Sequence, residues 1–172
     1  MVYTRDLKSL GESLWVQVPP PLQNLKEMGR KKKAKVIVVG RKRIQYWHDN
    51  FEYYQPNDHL CGDCVVRALT KVLGKTWREC LAILFETALE LQEPVESCEN
   101  ITAALKRYGF VWKSIKVEKG DRRPTVSVFA DYIKTDAICR VSGHVVAVHD
   151  GKYFDVWDSG DKSLYGYWVK ES

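Results

Sequence analysis

CGDCVVRALTKVLG, residues 61–74, is the stretch whose reading decides the fold. Val65, Leu69, Val72 and Leu73 recur at the three-to-four spacing of an amphipathic helix. Asp63 is placed to cap the start of that helix, and Gly74 is placed to end it in a left-handed turn. Cys64 therefore falls in the first turn. A thiol there faces backbone amides and the positive end of the helix dipole, and both favour the thiolate.

Downstream, Thr76 with Glu79 three residues on forms a capping box, which predicts a second helix through WRECLAILFETALEL to Pro94. Ser97 caps a third, CENITAALKRYG, stopped by Gly109. FVWKSIKV reads as a strand and TVSVFADYI as a short helix. The alternating segments AICRVSG, HVVAVHDG, KYFDVWDSG and LYGYWVK then read as consecutive antiparallel strands, the middle pair joined at Asp150-Gly151. A helical cluster followed by an antiparallel sheet is an α+β arrangement.

Upstream, the β-branched run of KVIVVGRKRIQY, residues 35–46, is broken by Gly40 and reads as one strand or a hairpin edge guarded by its charges. Residues 1–33 have no sustained period and contain Pro19, Pro20 and Pro21, so they read as an extended or loosely packed basic arm. Residues 34–172 are then the single folded domain. A chain of 172 residues, 45% hydrophobic and 12% aromatic, can bury a core of its own.

Charge is concentrated. Residues 24–43 carry nine Lys or Arg against Glu27, a balance of +8, which leaves the rest of the chain at −3. The segment Arg30 to Arg43 is accordingly a candidate contact for nucleic acid or an acidic partner. No apolar run in the chain, Val36 to Val39 included, comes near the roughly 20 residues of a membrane span. The charged N-terminal sequence lacks the apolar centre of a signal peptide, so the expected location is the cytoplasm, with no membrane contact.

Five cysteines, an odd number, argue against a disulfide framework and for free thiols. Among these, only Cys64 has a setting that would activate it. An imidazole that accepts the thiol proton would complete the activation. His48 and His59 lie in polar loop sequence and His149 at a hairpin turn, whereas His144 opens the buried run VVAV and is the expected base. A hairpin centred on Gly151 puts Asp158 opposite His144, where a carboxylate would orient the ring. A two-residue Asp150-Gly151 turn instead puts Trp157 opposite, and Asp155 then shares the His144 face. Asp158 is the first choice and Asp155 the second.

These residues resemble a family. CGDCVVRAL is similar to the nucleophile motif of papain-like cysteine peptidases, whose second cysteine is catalytic and falls on Cys64. GHVVAVHDGKYFDVWDSG resembles their histidine strand followed by an Asn/Asp-Ser strand end, which maps onto His144 and Asp158-Ser159. The likeness is to small phage and bacterial peptidase-like proteins and to bacteriocin-processing double-glycine peptidases, over about residues 50–170. It implies a papain-like fold, a thioester formed on Cys64, a peptide or protein substrate, no cofactor, and host-cell cytoplasm if the chain is phage-encoded. The family places a glutamine six residues before the nucleophile to donate to the oxyanion; here that residue is Asp58, which cannot donate when ionised. Asn57, or Gln55, is the expected substitute, with the Cys64 amide as second donor.

A zinc site built on Cys61 and Cys64 would need two more ligands, which His59 and His144 could in principle supply, and no second CxxC or CxxH exists. No metal is expected. Trp157 is placed to shield the His144 contact, and Tyr165, with Tyr167 and Trp168, to line a substrate groove. The competing function is a non-enzymatic papain-like scaffold whose basic arm binds nucleic acid or an acidic partner.

Overall fold

The computed structural model describes residues 33–58, 61–118 and 120–171. The basic arm of residues 1–33 lies outside them except for Lys33, as does His59.

The first elements are strands β1 (Lys35–Val39) and β2 (Lys42–Tyr46), which pair as an antiparallel ribbon turned at Gly40, φ 58°. The short strand β3 (Phe51–Tyr53) follows. Three helices come next: α1 (Cys64–Leu73), α2 (Trp77–Leu91) and α3 (Cys98–Lys106). Then come β4 (Phe110–Ser114), α4 (Val126–Tyr132), β5 (Ala137–Val141), β6 (His144–His149), β7 (Lys152–Asp155) and β8 (Gly166–Lys170). The fold is α+β.

The caps follow the sequence. Thr76 and Glu79 make the reciprocal capping box of α2, Ser97 accepts from the Asn100 amide at the start of α3, and Thr125 does the same for Val128 in α4. Gly74 closes α1 in the left-handed conformation, φ 62°, its amide on the Thr70 carbonyl.

The main sheet has six strands in the order β3-β7-β6-β5-β8-β4. It is mixed, not purely antiparallel as expected. Strand β3 runs parallel to β7, because Phe51 enters the core between Tyr46 and Tyr153 and fixes the chain along that edge. The polar surroundings of residues 51–53 concealed this strand. Nor does β8 continue the meander beside β7; it crosses to the far side of β5.

Strand alternation sorts the core onto the two sheet faces. Val145 and Ala147 of β6 pack with Ile138 and Trp168 under Leu69, Leu84 and Leu105 of the first three helices. Val146 and Val148 point the other way, with Cys139, Tyr153 and Tyr167, toward Val126 and Phe129 of α4. Strand β6 is thus apolar on both sides, and burying each large side chain contributes about 1.5–3 kcal/mol. The two faces hold β6 rigidly, which matters because His144 is its first residue.

Candidate active site

The N-terminus of α1 lies against the start of β6, and this brings Cys64 to His144. The thiol is hydrogen-bonded to the His144 ring and to the Val145 backbone. Burial opposes its ionisation, but those two bonds and the charges of His144 and Arg67 outweigh burial and hold the Cys64 pKa below its ordinary value. Two core thiols shift the opposite way: burial pushes Cys80 up to about 11 and raises Cys139 as well.

His144 donates through Nε2 to Asp155 Oδ2 at 2.7 Å, which leaves Nδ1 for the thiol. Burial would lower the His144 pKa, but Asp155 and Cys64 raise it to about 9. A lowered thiol beside a raised imidazole favours a thiolate–imidazolium pair.

The orienting carboxylate is a correction. Asp158, the first choice from sequence, does not reach His144. Its carboxylate accepts from the Trp47 amide at 2.6 Å and the Gly160 amide at 3.1 Å, lies 2.9 Å from His48 Nδ1, and takes the Tyr153 hydroxyl. The cause is register. Lys152 pairs directly with His149, so the turn contains only Asp150 and Gly151, both left-handed at φ 47° and 75°. Continued to the strand ends, that register sets Trp157 across from His144, and the Trp157 ring stacks there at 5.5 Å between centroids. Asp155, the second choice, is the residue on the imidazole.

Asp155 is held from behind by a residue that the sequence reading passed over. Its Oδ1 accepts from Arg67 Nη2 at 3.1 Å and from the Val156 amide at 2.8 Å. Arg67 reaches in turn to Asp63 Oδ1 at 2.5 Å, and Asp63 Oδ2 accepts from the Trp77 indole at 2.9 Å. Arg67, Asp63 and Asp155 are all buried. The charges alternate along the line Asp63, Arg67, Asp155, His144, Cys64. The signal was available in outline: an arginine inside VVRAL, four residues after an aspartate, is a cation on a helix that is otherwise apolar there.

Asp63 consequently does not act as expected. It occupies the N-cap position but makes no side-chain cap bond, and the first turn of α1 holds no acidic side chain. With its carboxylate turned to Arg67, the first-turn amides keep their positive end toward the thiol.

A cavity of about 520 Å³ opens beside the pair, lined by Cys64, His144, Cys98, Glu96, Arg140 and Tyr165 among others. Tyr165 stands where a groove wall was expected. Tyr167 and Trp168 are core residues instead, 6% and 0% exposed, because β8 is an inner strand. Trp157 covers the imidazole and is not a wall of this cavity. The expected oxyanion amides are also elsewhere: Gln55 donates to Asn57, whose own amide points to Cys61 Sγ at 3.5 Å, and neither borders the cavity. Both are drawn into the 55–61 loop.

Among the described residues, no set of three or more His, Cys, Asp or Glu side chains could hold a metal ion. No helix among them is long and apolar enough to cross a membrane. Comparison with protein-family models, curated proteins and solved structures finds no match.

Proposed function

We propose that this chain is a papain-like cysteine hydrolase that cleaves or transfers an acyl group of a peptide, isopeptide or amide through a Cys64 thioester. The observation that carries the reading is the continuous chain from thiol to imidazole to carboxylate, with His144 Nε2 2.7 Å from Asp155 Oδ2 and the thiol on the other side of the ring. Cys64 Sγ attacks the carbonyl carbon, and the first-turn amides of α1 stabilise the oxygen as it gains charge. His144 gives its proton to the leaving group. A water then attacks the thioester with His144 as base. An amine in place of water makes the same site a transferase.

The cavity beside Cys64 is open enough for a peptide or protein substrate, and five free thiols suit a reducing compartment such as the cytoplasm. The test is a set of activity-based probes with peptide, ubiquitin-like and glutamine-containing electrophiles, applied to the wild type and to Cys64→Ala. Labelling of the wild type at Cys64 alone, and none of Cys64→Ala, supports the reading. Cys61 and Cys64 labelled slowly and equally would favour a non-enzymatic scaffold.

A further inference from the structure

The β1–β2 ribbon is not accounted for by the chemistry at Cys64. Its register pairs Val36 with Gln45 and Val38 with Arg43, so these four share one face, and all four are exposed. The opposite face carries Ile44 and Tyr46, which pack against the lower core. Ile44 and Tyr46 thus seat the ribbon on the body, and its outer face is exposed among the described residues. Val36 is 44% and Val38 64% exposed, on an element in which β1 and β2 pair only with each other among the described residues.

Charge distinguishes this face from an ordinary edge. Residues 33–46 contain Lys33, Lys35, Arg41, Lys42 and Arg43 and no acidic residue. Lys35 is engaged by Asp49. Among the described residues, no carboxylate lies within ion-pair distance of Arg41, Lys42 or Arg43, which occupy the tip and the strand leaving it. The tip thus gathers three cationic side chains in a row.

We propose that the β1–β2 ribbon is a binding element for double-stranded DNA, entering the major groove with its Val36/Val38/Arg43/Gln45 face while Arg41 and Lys42 meet phosphates. Two chemical facts favour this partner over an acidic protein. A two-stranded ribbon has the width that a B-form major groove accepts, and Arg and Gln are side chains that hydrogen-bond base edges there. The two valines suit contact with thymine methyl groups. This function is independent of the thiol chemistry.

The experiment uses the full chain, a fluorescent 20-base-pair DNA duplex and polarisation at 50 and 200 mM salt. With the phosphates of Arg41 and Lys42 engaged, affinity should fall about tenfold between the two salt conditions. Replacing Arg41, Lys42 and Arg43 together by Gln should weaken binding at least about tenfold and flatten the logarithmic salt slope by about two. Gly40→Val keeps every charge but places a branched residue at φ 58°, and should also weaken binding by spoiling the turn. Melting temperatures of both variants show whether the body still folds. Four results would overturn the proposal: wild-type affinity in the triple variant, wild-type affinity in Gly40→Val, equal binding to duplex RNA, whose major groove is too deep and narrow for a ribbon, and equal competition by poly-glutamate at matched charge.

Discussion

Asp155 Oδ2 lies 2.7 Å from His144 Nε2, while Asp158 is engaged with the His48 ring, the Tyr153 hydroxyl and three backbone amides. The two carboxylates therefore have separable consequences. Asp155→Asn should lower the turnover attributed to Cys64 by about 10²- to 10⁴-fold, because the ring loses its orientation and its counter-charge. Asp158→Asn should lower the melting temperature and leave the rate at which iodoacetamide labels Cys64 near that of the wild type. A larger loss of labelling in Asp158→Asn than in Asp155→Asn would reverse the assignment.

The thiolate–imidazolium pair fixes a pH profile. Labelling of Cys64 should already be fast near pH 6, where an ordinary thiol is protonated, and reaction that needs the imidazolium should fall off above about 9 as His144 deprotonates. In Asp155→Ala the upper limb should move to lower pH. The same shift sets a sign for stability. A histidine with a folded pKa above its unfolded value binds its proton more tightly when native, so its contribution is complete below about pH 6.5 and is lost as the pH rises through about 9. Chemical denaturation from pH 6 to 10, compared with His144→Gln, isolates it.

Cys61 is exposed and its one described side-chain contact is the long one from Asn57. Cys61→Ser should keep most of the Cys64 labelling and the full fold, read by probe labelling and circular dichroism. Loss of both would show that Cys61 holds the loop.

Gly160 is a packing limit. A Cβ there would meet His48 Nδ1 and the Tyr153 hydroxyl at 2.5 Å, the two side chains that also hold Asp158. Gly160→Ala should cost about 1–3 kcal/mol in urea denaturation. Labelling of Cys64 should be unchanged, since the strain falls on the Asp158 cluster.

Arg67→Leu leaves Asp63 and Asp155 buried without their cation and should cost about 3–5 kcal/mol. Adding Asp63→Leu should recover part of that loss. Equilibrium denaturation of the two variants measures both.

The helices were legible because each carries its own local signal: the Thr76–Glu79 box, the Ser97 cap and Gly74 all act over three or four residues. Cys64 and His144 were legible for a similar reason, one at a helix start and the other opening an apolar strand. The carboxylate depended on whether the hairpin turn spans two residues or three, a one-residue difference that moves every partner along the strand. Strand β3 and the place of β8 depend on pairings about 100 and 30 residues apart along the chain, as with Tyr53 and Asp155 or Ile138 and Trp168, and no local pattern records these. Arg67 was hidden by the opposite bias: the helix was read for its apolar stripe, and a buried cation has no place in such a stripe.

Arg67 acquires a further importance when the proposed reaction is followed through its stages. At rest Asp155 faces two cations, Arg67 and the His144 imidazolium. Once the leaving group has taken the His144 proton and the sulfur is acylated, thiolate and imidazolium charges have vanished together, and the ring beside Asp155 is neutral. For that half of the cycle Arg67 is the standing counter-ion of Asp155. It holds the carboxylate against the ring, and that contact favours the transfer of a proton from water onto His144 when the thioester is released.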